Sequence, residues 1–282
     1  MINVYQVLVS IVIGLVQGIS EWLPVSSKTQ VLVASTYLLH LNFQQAYAFG
    51  LFMEVGTLAA AVIYFRHELA SLIKALLGSR IEMDRKLLVY VVITTVITGI
   101  IGAPIYLVAD SITGISLGIP MLLIGIILIA DALIIRKSKK VQHGTAIRKF
   151  NDLKIKDYVL VGIAQGIAAL PGVSRSGITT STLLLMKVEP DEAFRLSFLI
   201  GIFATFAAFA LTLIASKAKV AAAIASISLT GLGIAIVTST LISLFLIDFL
   251  IKTAGKSRIV YVTAALGVIA MLSGSIYLLF GL

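Results

Sequence analysis

The sequence predicts an all-α polytopic membrane protein made of two inverted repeats, each a re-entrant helical hairpin followed by three transmembrane helices. Three observations carry that reading. Of the 282 residues, 59% are hydrophobic and only 12% charged. That is far more apolar than a soluble domain, and long apolar runs recur from end to end. Two further apolar stretches are each cut midway by polar residues and a proline, at Gln17–Ser27 and at Gln165–Thr180. Finally, most Lys and Arg residues cluster in a few loops, as the positive-inside rule requires of one arrangement of spans.

The first repeat covers residues 1–135. Met1 to Ser10 holds no Lys or Arg, so it lacks the basic start of a signal peptide and reads as mature structure. The apolar run Tyr5–Ile19 falls short of the roughly 20 residues needed to cross a bilayer, and Val31–Leu39 is shorter still. Polar residues lie between them at the depth a membrane hairpin would reach. Irregular backbone there needs burial in protein or a wet cavity. Residues 5–39 are therefore expected to form a re-entrant hairpin. The rival, one helix kinked at Pro24, leaves Glu21, Ser26, Ser27, Lys28 and Gln30 in a span with no purpose. Full spans follow at 47–65, 87–108 and 119–135, with residues 66–86 as a basic loop.

Residues 136–157 form the most basic segment and the expected cytoplasmic linker. The second repeat, 158–282, opens with a second hairpin at 158–187 and continues with spans at 194–215, 224–250 and 259–280. A hairpin returns to its own side and three spans cross an odd number of times, so the second half must be inverted. With the N-terminus outside, the loops 66–86, 136–156 and 252–258 and the flanks of the second hairpin, Lys187 and Arg195, fall inside and hold nearly all the basic residues, while Lys28 and Arg175 lie in the breaks. Only Lys217 and Lys219 lie in an outer link. The formal charge of +9 thus reports orientation, and nucleic acid is not an expected partner. The absence of cysteine excludes disulfides and thiolate metal sites.

The chemistry is expected where the two breaks meet. An ionisable residue at membrane depth costs several kcal/mol unless paired or wet, and Glu21 and Arg175 occupy matching breaks. A structural ion pair is the rival, but Ser174, Ser176, Thr179 and Thr180 surround Arg175, and Ser26, Ser27, Thr29 and Gln30 follow Glu21. Gly172–Gly177 opens a helix after Pro171, and Ser26–Ser27 opens one after Pro24. Free N–H groups at helix starts form a ready anion site, and Arg adds a planar fork that suits phosphate. Simple capping is the alternative for any one of these hydroxyls. Gln17 and Glu21, four apart, share a helical face. Glu21 can act as a base or, with Gln17 and Glu54, offer oxygen ligands to Mg²⁺ or Ca²⁺. Asp131 and Asp248 read as structural. His40, His67 and His143 are poorly placed for a general base.

Two motifs, Gln17-Gly-Ile-Ser-Glu21-Trp-Leu-Pro-Val-Ser-Ser27 and Pro171-Gly-Val-Ser-Arg-Ser-Gly-Ile-Thr179, resemble the undecaprenyl-diphosphatase family, the bacitracin-resistance type of polyprenyl-diphosphate phosphatase. Glu54-Val-Gly-Thr57 and Arg195-Leu-Ser-Phe198 extend the resemblance over essentially the whole chain. It implies removal of the terminal phosphate of a prenyl diphosphate, undecaprenyl or dolichyl in type, to regenerate the monophosphate lipid carrier. It also implies an inverted-repeat fold in the plasma membrane, a site open to the outer face and a divalent cation, Mg²⁺ or Ca²⁺. A homodimer is an admissible assembly. Carried over by position, Glu21 is the essential acid, a metal ligand or base. Ser27 is nucleophile or phosphate ligand, with water as the other nucleophile. Ser174, Arg175, Ser176 and Thr179 hold the diphosphate, with Gln17, Ser26 and Gln30 beside it. Two positions depart from the commonest pattern: Gln17 stands where Glu is frequent, and Gln30 where many members have His. A His-activated serine is then not available, and Glu21 acts alone, with Glu54 or with a metal-bound water. The competing function is a lipid-phosphate flippase or anion transporter, since inverted repeats with broken helices also build transporters.

Overall fold

A computed structural model describes residues 4–111, 118–140, 147–170, 172–254 and 259–280. Twelve α-helices account for nearly all of them: α1 (Val4–Ser20), α2 (Ser27–Leu39), α3 (Phe43–Tyr64), α4 (Arg66–Leu76), α5 (Glu82–Ser111), α6 (Gly118–Lys140), α7 (Ile155–Ile167), α8 (Arg175–Leu185), α9 (Pro190–Ala215), α10 (Lys217–Ile227), α11 (Leu229–Ala254) and α12 (Ile259–Phe280). Among the described residues there is no strand, only an isolated parallel bridge between Arg148 and Val188. The protein is an all-α polytopic membrane protein. Five helical stretches are long and apolar enough to cross a membrane: Gln45–Tyr64, Glu82–Val108, Pro190–Ile214, Leu229–Ala254 and Thr263–Phe280. The sixth expected span coincides with α6, whose apolar stretch of qualifying composition is the shorter Met121–Ala130.

Both interrupted segments are broken helices. α1 and α2 are separated at residues 21–26, and α7 and α8 at residues 168–174. A single helix kinked at Pro24 is thereby excluded. Two other segments differ from expectation. Residues 66–76, expected as loop, form α4, because Glu68 in its first turn and Lys74 in its last complement the helix dipole. The charges that mark it as a loop in a hydropathy reading are the ones that suit its ends. The expected span 224–250 is interrupted: Ser228 takes a left-handed φ of 68°, so 224–227 close α10 and the spanning helix starts at Leu229. The side chain of Asp131, Pro171, and the parts of the basic segments at 141–146 and 255–258 lie outside the described residues. Asp248 accepts from Lys252 at 2.7 Å and from the Tyr64 hydroxyl at 3.3 Å, a structural role.

Helix packing depends on glycine where backbones touch. α1 lies against α11, and α7 against α5. A Cβ on Gly14 would sit 2.5 Å from the Ala235 carbonyl, and one on Gly18 would sit 2.8 Å from that of Ser239. On α7, a Cβ on Gly162 would sit 2.9 Å from the Thr94 carbonyl. Such close approach is how helices associate where no water drives them together. Gly14→Leu is expected to force α1 off α11, costing about 1–3 kcal/mol. A lowered melting temperature in detergent checks this. α3 and α9 pack on each other across the middle, and α6 pairs with α12. The main buried core runs under α3, α5, α7, α8, α9 and α11 and closes around the two breaks.

Candidate active site

Each break has a local cause. Pro24 has no N–H and a ring that clashes with a continuing helix. Past it, Ser26 adopts φ 56° and ψ 88°, a left-handed conformation that costs a non-glycine residue energy and is typical of functional turns. Its hydroxyl does not cap α2 but meets Thr29 Oγ1 at 3.0 Å. In the second hairpin Gly172 supplies φ 85°. Ser174 then caps α8, its Oγ accepting from the Gly177 N–H at 3.2 Å.

The breaks interlock. Ser174 Oγ donates to the Leu23 carbonyl at 3.2 Å, and Ser176 Oγ donates to the Glu21 carbonyl at 3.0 Å. Backbone acceptors orphaned by one break are thus satisfied by hydroxyls of the other, as burial demands. Trp22 packs edge-on against Phe198 of α9, ring centroids 4.9 Å apart.

At the centre stands the Glu21 carboxylate, only 6% exposed. Its Oε1 accepts from Arg175 Nη2 in an ion pair. Its Oε2 accepts from Ser27 Oγ at 2.6 Å and from Gln17 Nε2 at 3.0 Å. Gln17 also reaches Thr57 Oγ1 at 3.4 Å. Arg175 Nη1 donates to the Gly201 carbonyl at 2.6 Å and to Thr205 Oγ1. A Cβ at residue 201 would stand 3.2 Å from the guanidinium carbon, so glycine leaves α9 open for the arginine. The expectation that Glu21 and Arg175 meet therefore holds in the structure, across 154 residues of chain.

A cavity of about 140 Å³ opens over this cluster, bordered by Glu21, Ser26, Ser27, Glu54, Ser174 and Arg175. The other expected site residues are not on its wall. Gln17 lies behind Glu21. Gln30 Nε2 turns away to the Val25 carbonyl at 3.0 Å. Ser176 is spent on the other hairpin's backbone. Thr179 Oγ1 bonds back to the Arg175 carbonyl at 2.7 Å and to Ser197 Oγ at 2.5 Å. Gln30, Ser176 and Thr179 thus reach protein partners, since hydroxyls and amides near broken backbone find nearer acceptors there. Lys28, Thr57, Gly201 and Thr205 join this cluster in the structure without being expected there. Lys28 is legible as a charge inside the break. The other three sit in ordinary helical sequence, with only the glycine and threonine four apart on α9 as a faint signal.

A divalent cation fits the donor set. Gln17 Oε1, one turn from Glu21 and behind the cavity wall, is buried without a hydrogen-bond partner, and Glu21 and Glu54 line the cavity itself. These are oxygen ligands of the kind Mg²⁺ and Ca²⁺ prefer. Among the described residues no three acidic or histidine side chains converge. Such an ion would therefore complete its shell with phosphate oxygens and water.

Comparison with known proteins agrees over nearly the full length. The undecaprenyl-diphosphatase of Saccharolobus solfataricus is 48% identical over 270 residues, covering 95% of each chain. That of Sulfurisphaera tokodaii is 45% identical over 263 residues, 93% of this chain and 94% of the relative. That of Pyrobaculum aerophilum is 36% identical over 274 residues, 96% and 98% of the two chains. Residues 10–271 match the family described as bacitracin resistance protein BacA, and on that match and these relatives the chain belongs to the BacA family.

Proposed function

We propose that the protein is a membrane phosphohydrolase that removes the terminal phosphate of a polyprenyl diphosphate, undecaprenyl or dolichyl in type, and so regenerates the monophosphate carrier. One observation carries the reading: Ser27 Oγ donates to Glu21 Oε2 at 2.6 Å, on the wall of a cavity built from two helix breaks. That is the nucleophile–base contact of covalent catalysis. Ser27 Oγ forms a bond to the terminal phosphorus as the bridging P–O bond breaks, and its proton passes to Glu21. The prenyl monophosphate leaves. Water then attacks the phosphoserine, inorganic phosphate departs, and Glu21 returns the proton to Ser27. Arg175 and Gln17 hold the carboxylate in place for both steps, and Arg175 borders the phosphate. Glu21, Gln17 and Glu54 would hold Mg²⁺ or Ca²⁺, which supplies Lewis-acid neutralisation of phosphate charge when bound.

The same reading places the two hairpins as re-entrant segments and the halves, 1–135 and 158–282, as inverted repeats in the plasma membrane, with the cavity open to the outer face. Helix packing supports the repeat. Exchanging α1, α2, α3, α5 and α6 for α7, α8, α9, α11 and α12 turns the α1–α11 contact into α7–α5 and α2–α3 into α8–α9. It leaves α3–α9 and α6–α12 as self-pairs. The test is phosphate release from a prenyl diphosphate by purified protein with Mg²⁺ or Ca²⁺. Ser27→Ala is expected to cut that release at least about 100-fold while the melting temperature stays near wild type. Wild-type protein that is folded and metal-loaded yet releases no phosphate overturns the reading.

A further inference from the structure

We propose that Lys28 is a substrate-binding residue of this site, the cation that grips the diphosphate. The inference rests on the phosphohydrolase reading. Four charged side chains border the cavity: Glu21, Glu54, Arg175 and Lys28. Two are already spent on each other, since Arg175 Nη2 is ion-paired to Glu21. The other terminal nitrogen of Arg175 is bound to Gly201 and Thr205. Three of the five N–H donors of the guanidinium are therefore occupied in positioning the base before any substrate arrives.

Lys28 differs. Its Nζ makes one hydrogen bond, to the Ala168 carbonyl at 2.8 Å, and an ammonium has three N–H donors. Both ends of that bond line the cavity. No salt bridge among the described residues holds Lys28. The bond fixes the ammonium on the wall, against the carbonyl-rich end of α7, where a positive charge is favoured. Two donors are left for a ligand.

The position is otherwise a poor one for a cation. Lys28 is in the first turn of α2, the positive end of that helix, and the site lies deep among helices. Placing an ammonium there is costly unless an anion shares the cavity; the Glu54 carboxylate does so, and a bound phosphate would do so more strongly. Ser27, the proposed nucleophile, is the adjacent residue. A phosphoryl group in reach of Ser27 Oγ is therefore in reach of the same wall. The formal sum of the four charges is zero, so a diphosphate entering the cavity meets no net repulsion. Without Lys28 it would meet net negative charge. Gln30 has its amide on the Val25 carbonyl and brings no charge. Lys28 supplies the cation from two residues away.

The test compares Lys28→Met, which keeps the stem and removes the ammonium, with Lys28→Arg. For Lys28→Met, kcat/KM for a prenyl diphosphate is expected to fall roughly 10- to 100-fold, mainly through KM. The inhibition constant of inorganic pyrophosphate is expected to rise in parallel, and Lys28→Arg to recover part of both. In wild-type protein, pyrophosphate is expected to slow reductive methylation of Lys28, read by mass spectrometry. This last measurement stands even if Lys28→Met fails to fold. An active wild type whose Lys28→Met variant keeps KM and pyrophosphate inhibition overturns the proposal, as does methylation of Lys28 unaffected by pyrophosphate. Either result leaves the phosphohydrolase reading intact. A wild type without phosphate release removes that reading itself.

Discussion

Glu21→Gln is expected to lower phosphate release by about 10²- to 10⁴-fold, the range a general base contributes, while substrate still binds. The substitution is nearly isosteric. Its amide can accept from Arg175 as Oε1 does and can stay beside Ser27, but it cannot take the serine proton. The two roles assigned to the carboxylate under the proposed mechanism, anchoring the hairpins and receiving a proton, are thereby separated. Phosphate release measured beside the melting temperature reads both. Lost turnover with little change in melting supports the base. Turnover retained within a few-fold sinks it, and would favour a carrier not coupled through Glu21.

The largest effect on stability is expected at Arg175. Its side chain is 14% exposed and that of Glu21 only 4%, so the pair is largely out of water. Removing one partner of a buried pair leaves the other uncompensated and typically costs about 3–5 kcal/mol. Arg175→Ala also strips the Gly201 carbonyl and Thr205 of their donor. It leaves a gap beside α9, where Gly201 offers no side chain to fill it. The expected outcome is a sharply lowered melting temperature together with loss of phosphate release. Arg175→Lys keeps the charge but not the fork that reaches Glu21 and Gly201 at once, and is expected to recover only part of the stability. A melting temperature unchanged in Arg175→Ala would mean that the hairpins do not depend on this contact.

Glu21 and Arg175 stand out because they interrupt apolar runs, and their company of hydroxyls marks both as more than span residues. The same signal marks Ser176, Thr179 and Gln30, whose polar groups bond to protein in the structure. A hydroxyl or amide next to a broken helix is equally suited to a ligand and to an orphaned carbonyl, and sequence spacing does not separate the two. In the folded protein the nearest acceptors are Glu21 O, Leu23 O, Arg175 O and Val25 O. α4 and the break at Ser228 are hidden in the sequence for a related reason. Hydropathy weighs composition over a window, whereas one amphipathic turn or one left-handed residue is decided by local packing.

Sequence alone determined the class of molecule, the two broken helices and the buried charges Glu21 and Arg175 within them, because apolar run length and charge within it answer directly to the cost of burying polar groups in lipid. Tertiary structure decided which groups touch. Ser27 on Glu21, Arg175 on Gly201 and Thr205, and Lys28 on Ala168 all depend on how α2, α7 and α9 converge. That convergence is fixed by backbone approach at glycines and by one turn at Ser26, and residue type does not encode those distances.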